Sequence, residues 1–152
     1  MSEKRLQKRD EISDEYKWKL EDMYETDELW EAECEKASQL AEKLSGFKGH
    51  LADSAATLLD FFKKQDALSY YLERIVVYAN ERSHQDTAVS KYQAYVSKAE
   101  TLTVQASGAL AFASPEILQI DDKRLESFYS ESNELMHYKR AIDEIMRQKA
   151  HT

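Results

Sequence analysis

The stretch that decides the fold class is DELWEAECEKASQLAEKLSG, residues 27–46. Its apolar side chains recur at alternating steps of four and three residues, at Trp30, Cys34, Ala37, Ala41 and Leu44. Because an α-helix repeats every ~3.6 residues, this spacing puts them on one face. Thr26 or Asp27 can cap the start of such a helix, and Gly46 can follow its end. The stretch therefore predicts an amphipathic helix with one buried face.

The same periodicity continues through the rest of the chain. Further helices are expected to begin at Asp53 or Ser54, Asp86 or Thr87, Ser114, Asp121, and Ser132 or Asn133. The second helix should run to about Arg82, straight or with a bend near Gln65. The third should be the longest and should reach about Ala113.

Composition agrees with a helical protein. The 152 residues include one proline and three glycines, too few for the many turns of a sheet protein. We therefore predict an all-α fold, an antiparallel bundle of about five to seven helices with an extended N-terminal arm. A charged fraction of 33% and an apolar fraction of 42% are typical of a globular domain. The net charge of −8 argues against nucleic-acid binding.

The beginning of the chain differs from the remainder. Residues 1–15 are polar and are expected to be a flexible segment, so the helical domain should span residues 16–152. Trp18 lies among charged neighbours in residues 16–24, and this pattern favours an extended arm that docks on the helices. No segment has the composition of a signal peptide or a membrane span, so neither a membrane nor export is expected and the cytoplasm is the default location.

The sequence contains no recognisable catalytic or metal-binding motif. His50, His84, His137 and His151 are far apart, whereas a helical zinc site needs two imidazoles one turn apart, as in H-E-x-x-H. Cys34 lies within an apolar stripe and has no base nearby in the sequence, so a buried thiol is expected. We predict no catalytic, metal-binding or cofactor-binding residues in this chain.

Contacts with a partner are the remaining candidate role. If Tyr71 and Tyr92 follow the buried stripes, then Tyr70, Tyr78 and Tyr95 should point away from them, as interface tyrosines do. Burial at the edge of the bundle would explain these three equally well. Small residues around Gly108 permit another helix or domain to approach closely. The candidates for partner or channel contacts are therefore Trp18, Tyr70, Tyr78, Tyr95 and Gly108.

Several stretches resemble the N-terminal region of the oligoendopeptidase F family, within the thimet-oligopeptidase-like zinc metallopeptidases. They are YKWKLEDMY (16–24), DELW (27–30), FKGHL (47–51), LERIVVYA (72–79), QDT (85–87) and ALAFASPEIL (109–118). The final residues 147–152, RQKAHT, are similar to the family's R-x-K-P-H-T-L-S, with Ala150 in place of proline. The resemblance covers nearly the whole chain, and it implies truncation before the catalytic domain.

The resemblance also implies a function for the complete protein. It would be a cytoplasmic zinc endopeptidase that hydrolyses short peptides, and the zinc ligands would lie outside this chain. This part would form a wall of the substrate channel and would be inactive alone. Its expected partners are the catalytic domain, peptide substrates in the full-length protein, and a second copy of itself through exposed surface. The alternative is a stand-alone helical module for protein interactions.

Overall fold

The computed structural model describes residues 24–85 and 90–149. These residues contain α-helices and one short 3-10 helix, and no strand. The elements in chain order are α1 (Asp27–Ser45), α2 (Ala55–Gln85), α3 (Ser90–Leu110), α4 (Ala113–Leu118), α5 (Asp122–Glu131), the 3-10 helix (Leu135–Tyr138) and α6 (Lys139–Lys149). The predicted all-α fold is confirmed.

The first three helices form the main body. α1 begins as predicted, because the Thr26 hydroxyl accepts a hydrogen bond from the Leu29 amide at 3.2 Å. The start of α1 contacts the end of α2, since the Trp30 indole donates to the Ile75 carbonyl at 3.1 Å. The same indole stacks on Tyr95 near the start of α3. α2 therefore runs antiparallel to its two neighbours, and the bundle has the predicted antiparallel arrangement.

The last four elements cover the end of the body where α1 joins α2. Phe61 on α2 packs edge-on against Phe112, which precedes α4. Phe62 stacks on Tyr138 of the 3-10 helix with ring centroids 5.0 Å apart. The Tyr138 hydroxyl also donates to Asp66 on α2 at 2.7 Å. These contacts extend the core, so one cluster of buried side chains reaches from Tyr24 to Ile142.

Several predicted boundaries are wrong. The third helix was expected to be the longest, but α2, with 31 residues, is the longest of the described helices. Of the two forms expected for α2, it has the continuous one through Gln65. α3 ends at Leu110. Ser114 is not a cap, because α4 begins at Ala113, after Phe112. The final α-helix begins at Lys139, later than the predicted Ser132 or Asn133. The 3-10 helix precedes it, and the Ser132 hydroxyl accepts a hydrogen bond from the amide of Leu135, the first residue of that 3-10 helix, at 3.1 Å.

Other predictions fall on residues that the structure does not describe. They are the flexible segment 1–15, the arm through residue 23 with Trp18, and the caps Asp86 and Thr87. Among the described helices, none combines the length and the apolar composition needed to cross a membrane.

Candidate functional site

An aromatic cluster lies where the start of α1 meets the end of α2 and the start of α3. Its members are Tyr24, Trp30, Tyr78, Tyr92 and Tyr95. The Trp30 ring stacks on Tyr95 with centroids 4.2 Å apart, and Tyr78 lies 6.3 Å from it on a near-parallel plane. The Tyr24 ring meets Tyr78 edge-on at 5.0 Å. These rings join the three helices and hold residue 24 against them.

Carboxylates of α1 accept hydrogen bonds from the tyrosine hydroxyls of this cluster. Asp27 accepts from Tyr78 at 2.8 Å and from Tyr92 at 3.1 Å, and it forms an ion pair with Lys91 at 2.8 Å. Tyr95 donates to Glu31 at 2.9 Å. Acidic residues at successive turns of α1 thus satisfy hydroxyls that burial would otherwise leave without a partner.

The electrostatics follow from these contacts. Burial raises the pKa of Asp27, but hydrogen bonds from Lys91, Tyr78 and Tyr92 favour the carboxylate and leave its pKa below the ordinary value of 3.8. Burial, with the hydrogen bond to Glu31, raises the pKa of Tyr95. Tyr95 therefore stays protonated and acts as a hydrogen-bond donor. A raised pKa also disfavours the phenolate that a nucleophilic tyrosine would need.

Two of the predicted contact residues face inward, so their predicted orientation is wrong. Tyr78 is fully buried and Tyr95 is 7% exposed, whereas Tyr71 and Tyr92 are only partly buried. The reason is the Trp30 indole, which is covered by both inward rings, while α1 supplies carboxylates for their hydroxyls. Sequence spacing on α2 and α3 alone could not reveal these acceptors on α1.

Two other candidates do lie at the surface. Tyr70 is 56% exposed, and its hydroxyl accepts a hydrogen bond from Arg74 at 3.0 Å. The Arg74 guanidinium lies over both the Tyr24 and Tyr70 rings and contacts Glu33. Gly108 is exposed on α3. Trp18 lies outside the described residues.

A second arrangement, which sequence reasoning missed, holds the loop between α1 and α2. The Glu116 carboxylate of α4 accepts from the Gly49 amide at 2.6 Å and the Leu51 amide at 2.8 Å. The Arg124 guanidinium of α5 donates to the Ala52 carbonyl at 2.7 and 2.9 Å and to the Asp53 carbonyl at 3.1 Å. We call Glu116 and Arg124 the loop clamp.

The loop clamp connects two of the stretches on which the family resemblance rests. Gly49 and Leu51 belong to the stretch FKGHL, and Glu116 belongs to ALAFASPEIL. Gly49 has a φ of 85°, a conformation that favours glycine, and this turn presents its amide to Glu116. The sequence offered only a weak signal for this pairing, namely a glycine in the first stretch and a single acid in the second.

A groove of about 300 Å³ lies between α1 and α3. Its lining is mostly polar and includes one acid and one base: Cys34, Glu35, Ser38, Lys98, Thr101, Leu102 and Gln105. Burial raises the pKa of the Cys34 thiol to about 11, so the thiolate needed for nucleophilic chemistry is scarce near neutral pH. The predicted burial of Cys34 is confirmed.

The zinc implied by the family resemblance does not fit the described residues. Within residues 24–85 and 90–149, no three histidine, cysteine or acidic side chains come together in a way that could hold a metal ion. The His50 ring nitrogen lies 2.9 Å from Asp53, but both side chains are exposed and no third ligand accompanies them. The chemistry of these sites is hydrogen bonding and packing.

Comparison with known proteins shows that the chain is similar to part of several bacterial oligopeptidases. An N-terminal family model described as Oligopeptidase F matches residues 116–152. The chain is 41% identical to Oligopeptidase PepF of Bacillus subtilis over 146 residues, which are 96% of this chain and 22% of that protein. It is 37% identical to Group B oligopeptidase PepB of Streptococcus agalactiae over 143 residues, which are 94% of this chain and 24% of that protein.

A solved structure agrees with the sequence relatives. The crystal structure of oligoendopeptidase-F from Enterococcus faecium superposes with a TM-score of 0.70 and 28% identity, over 83% of this chain and 25% of that one. The chain spans about a quarter of the length of these relatives. It therefore corresponds to an N-terminal part of oligoendopeptidase F.

Proposed function

We propose that residues 16–152 of this chain form the helical N-terminal domain of a zinc oligoendopeptidase. The domain is inactive by itself. The full-length protein would hydrolyse short peptides in the cytoplasm. The observation that carries the proposal is the 41% identity to Oligopeptidase PepF along 96% of this chain. Relatives at this level are named for peptide hydrolysis, and this chain spans about a quarter of their length.

The proposal gives this chain a structural role and assigns the zinc to the remaining part of the protein. Two features support this division. The described residues do not fit a metal site, and their polar clusters are used to join helices, as at Asp27 and Glu116. A rigid bundle of this kind suits a wall of a substrate channel, with Tyr70 as an exposed side chain for contacts with the peptide or the catalytic domain.

The test uses Bacillus subtilis PepF, whose matched region is replaced by this chain. We expect the chimera to hydrolyse an internally quenched peptide, and the isolated chain to do neither that nor bind stoichiometric zinc by metal analysis. A chimera that folds but is inactive would contradict the structural equivalence. Peptide hydrolysis by the isolated chain would contradict its assignment as an inactive domain.

The alternative, a stand-alone interaction module, relied on tyrosines directed away from the core. Tyr78 and Tyr95 are buried against Trp30, so of those three only Tyr70 offers an exposed ring. The two functions are separated by the genomic sequence that follows the codon of Thr152. An in-frame continuation that encodes H-E-x-x-H supports the peptidase, and a stop codon with no peptidase gene beyond it supports the module.

A further inference from the structure

One surface of α3 is exposed but carries almost no charge. Residues 101–115 contain no acidic or basic side chain, in a chain of which 33% is charged. The exposed positions Thr101, Val104, Gly108 and Ala111 repeat at steps of three and four, so they share one side of the helix and the turn after it. Val104 is 71% exposed, more than any other large hydrophobic side chain of the described residues. We call these four residues the neutral face.

The neutral face adjoins the groove between α1 and α3. Thr101 belongs to both, and Gln105 on the next turn bridges the groove to Ser38 of α1 at 3.4 Å. A protruding Val104 beside a groove of about 300 Å³ gives the surface both a ridge and a hollow. Ridges and grooves of this kind are what a second helix packs against.

Gly108 independently indicates that another backbone approaches this side of α3. A side chain built there would meet no atom within 4 Å, so packing among the described residues does not require a glycine. Glycine weakens a helix relative to alanine, because it costs more backbone entropy on folding. The close approach of a backbone from outside the described residues would explain why a glycine occupies position 108.

Two partners could cover the neutral face and the groove: a second copy of this chain, or the remaining part of a longer peptidase. A second copy would bring two chains of net charge −8 together, which long-range repulsion opposes. The relatives, in contrast, contain about three times as much further chain, and that chain must pack against this domain somewhere.

We propose that the neutral face and the adjoining groove are the surface on which the catalytic part of oligoendopeptidase F packs, with an uncharged segment of that part against the neutral face. This inference rests on the proposed function, since it takes the peptidase as the longer protein. It assigns Val104 to the centre of the contact and Gly108 to the point of closest backbone approach.

Cysteine labelling tests the contact directly. Val104→Cys and, as an exposed charged control on α2, Glu73→Cys are placed in this chain and at the aligned positions of full-length Bacillus subtilis PepF. Maleimide labelling is followed peptide by peptide with mass spectrometry. The native thiol gives little background, because Cys34 is 2% exposed.

In this chain alone, we expect both new thiols to react at similar rates. In PepF, the thiol aligned with Val104 should react at least about tenfold more slowly than the control, since reactivity follows exposure. Equal rates in PepF would overturn the proposal. Concentration-dependent protection of Val104→Cys in the isolated chain would also overturn it, because a second copy would then be the occupant.

Hydroxyl-radical footprinting of unmodified PepF gives the same comparison if a cysteine variant does not fold. Low oxidation of the segment aligned with residues 101–111 is expected, and oxidation equal to that of exposed α2 would contradict the contact. Neither readout uses peptide hydrolysis. The proposed surface can therefore fail while the chimera of PepF with this chain is active, so the two proposals are separable.

Discussion

Asp27 shows how one side chain can join three helices. It occupies the first turn of α1, where the helix dipole favours a negative charge. It also accepts hydrogen bonds from Tyr78 on α2 and Tyr92 on α3, and it is only 14% exposed. Sequence reasoning recognised Asp27 only as a possible cap, since the hydroxyls that it binds lie 51 and 65 residues away along the chain.

Asp27 should make stability depend on pH. Because its folded-state pKa lies below the ordinary 3.8, the unfolded chain binds the proton more readily. The stabilisation is therefore present above the unfolded pKa and is lost as the pH falls through the folded pKa. We expect Asp27→Asn to lose about 1–2 kcal/mol at neutral pH and to weaken the fall in stability between about pH 5 and pH 3.

Urea unfolding at several pH values measures this effect. The control is Asp60→Asn, whose carboxylate is 50% exposed and pairs with Lys64 on the same helix. Exposed pairs of this kind contribute little to stability, so the control should stay close to the parent protein. Identical pH profiles for Asp27→Asn and the parent would contradict the assignment.

Cys34 should be almost inert while the chain is folded. Burial raises its pKa to about 11 and excludes reagents from its sulfur. We expect iodoacetamide at about pH 8 to modify it much more slowly than a free thiol, and to reach the free rate once urea unfolds the chain. Labelling followed by mass spectrometry checks this, and rapid modification of the folded chain would show that the thiol is accessible.

At the scale of elements, the loop between α1 and α2 depends on helices that come much later in the chain. Glu116 accepts hydrogen bonds from two loop amides, and Arg124 donates hydrogen bonds to two loop carbonyls. The sequence predicted a helix near Glu116 from its serine and proline neighbours. It did not predict that the carboxylate would be used across the fold.

Removing one half of the loop clamp should loosen the loop selectively. We expect Glu116→Ala to destabilise the chain by about 1–3 kcal/mol, because two amides lose a charged acceptor. The amides of Gly49 and Leu51 should also exchange with deuterium faster, as NMR can measure. Glu126→Ala, at an exposed position of α5, is the matched control and should change neither quantity. Unchanged exchange at Gly49 and Leu51 in Glu116→Ala would contradict the clamp.

At the scale of the whole molecule, the described helices share one core. The buried cluster includes Trp30 on α1 as well as Leu135 and Ile142 near the other end of the chain. The long contacts of Phe61 and Phe62 with Phe112 and Tyr138 connect the main body to the last four elements. A contiguous core of this kind favours cooperative unfolding.

We therefore expect a single unfolding transition. In a Trp18→Phe variant, Trp30 is the only tryptophan and reports on the start of α1, while far-UV circular dichroism reports on all helices. The two urea curves should coincide, as they do for a two-state domain. A fluorescence transition that precedes or follows the loss of helix would show that the main body and the last four elements unfold separately.

The sequence by itself determined the fold class and the buried face of α1, because helical spacing of apolar residues is a local property. Trp30, Cys34, Ala37, Ala41 and Leu44 are all buried, as predicted. The sequence stretches also led to the family that the comparisons then supported.

Only the tertiary structure decided which tyrosines face the core, where Glu116 and Arg124 act, and which face of α3 remains uncovered. Each depends on side chains that are distant in sequence: Tyr78 and Tyr95 are buried because acids on α1 satisfy their hydroxyls. Periodicity places a residue on a face of its own helix, but it does not identify the hydrogen-bond acceptor that a neighbouring helix supplies.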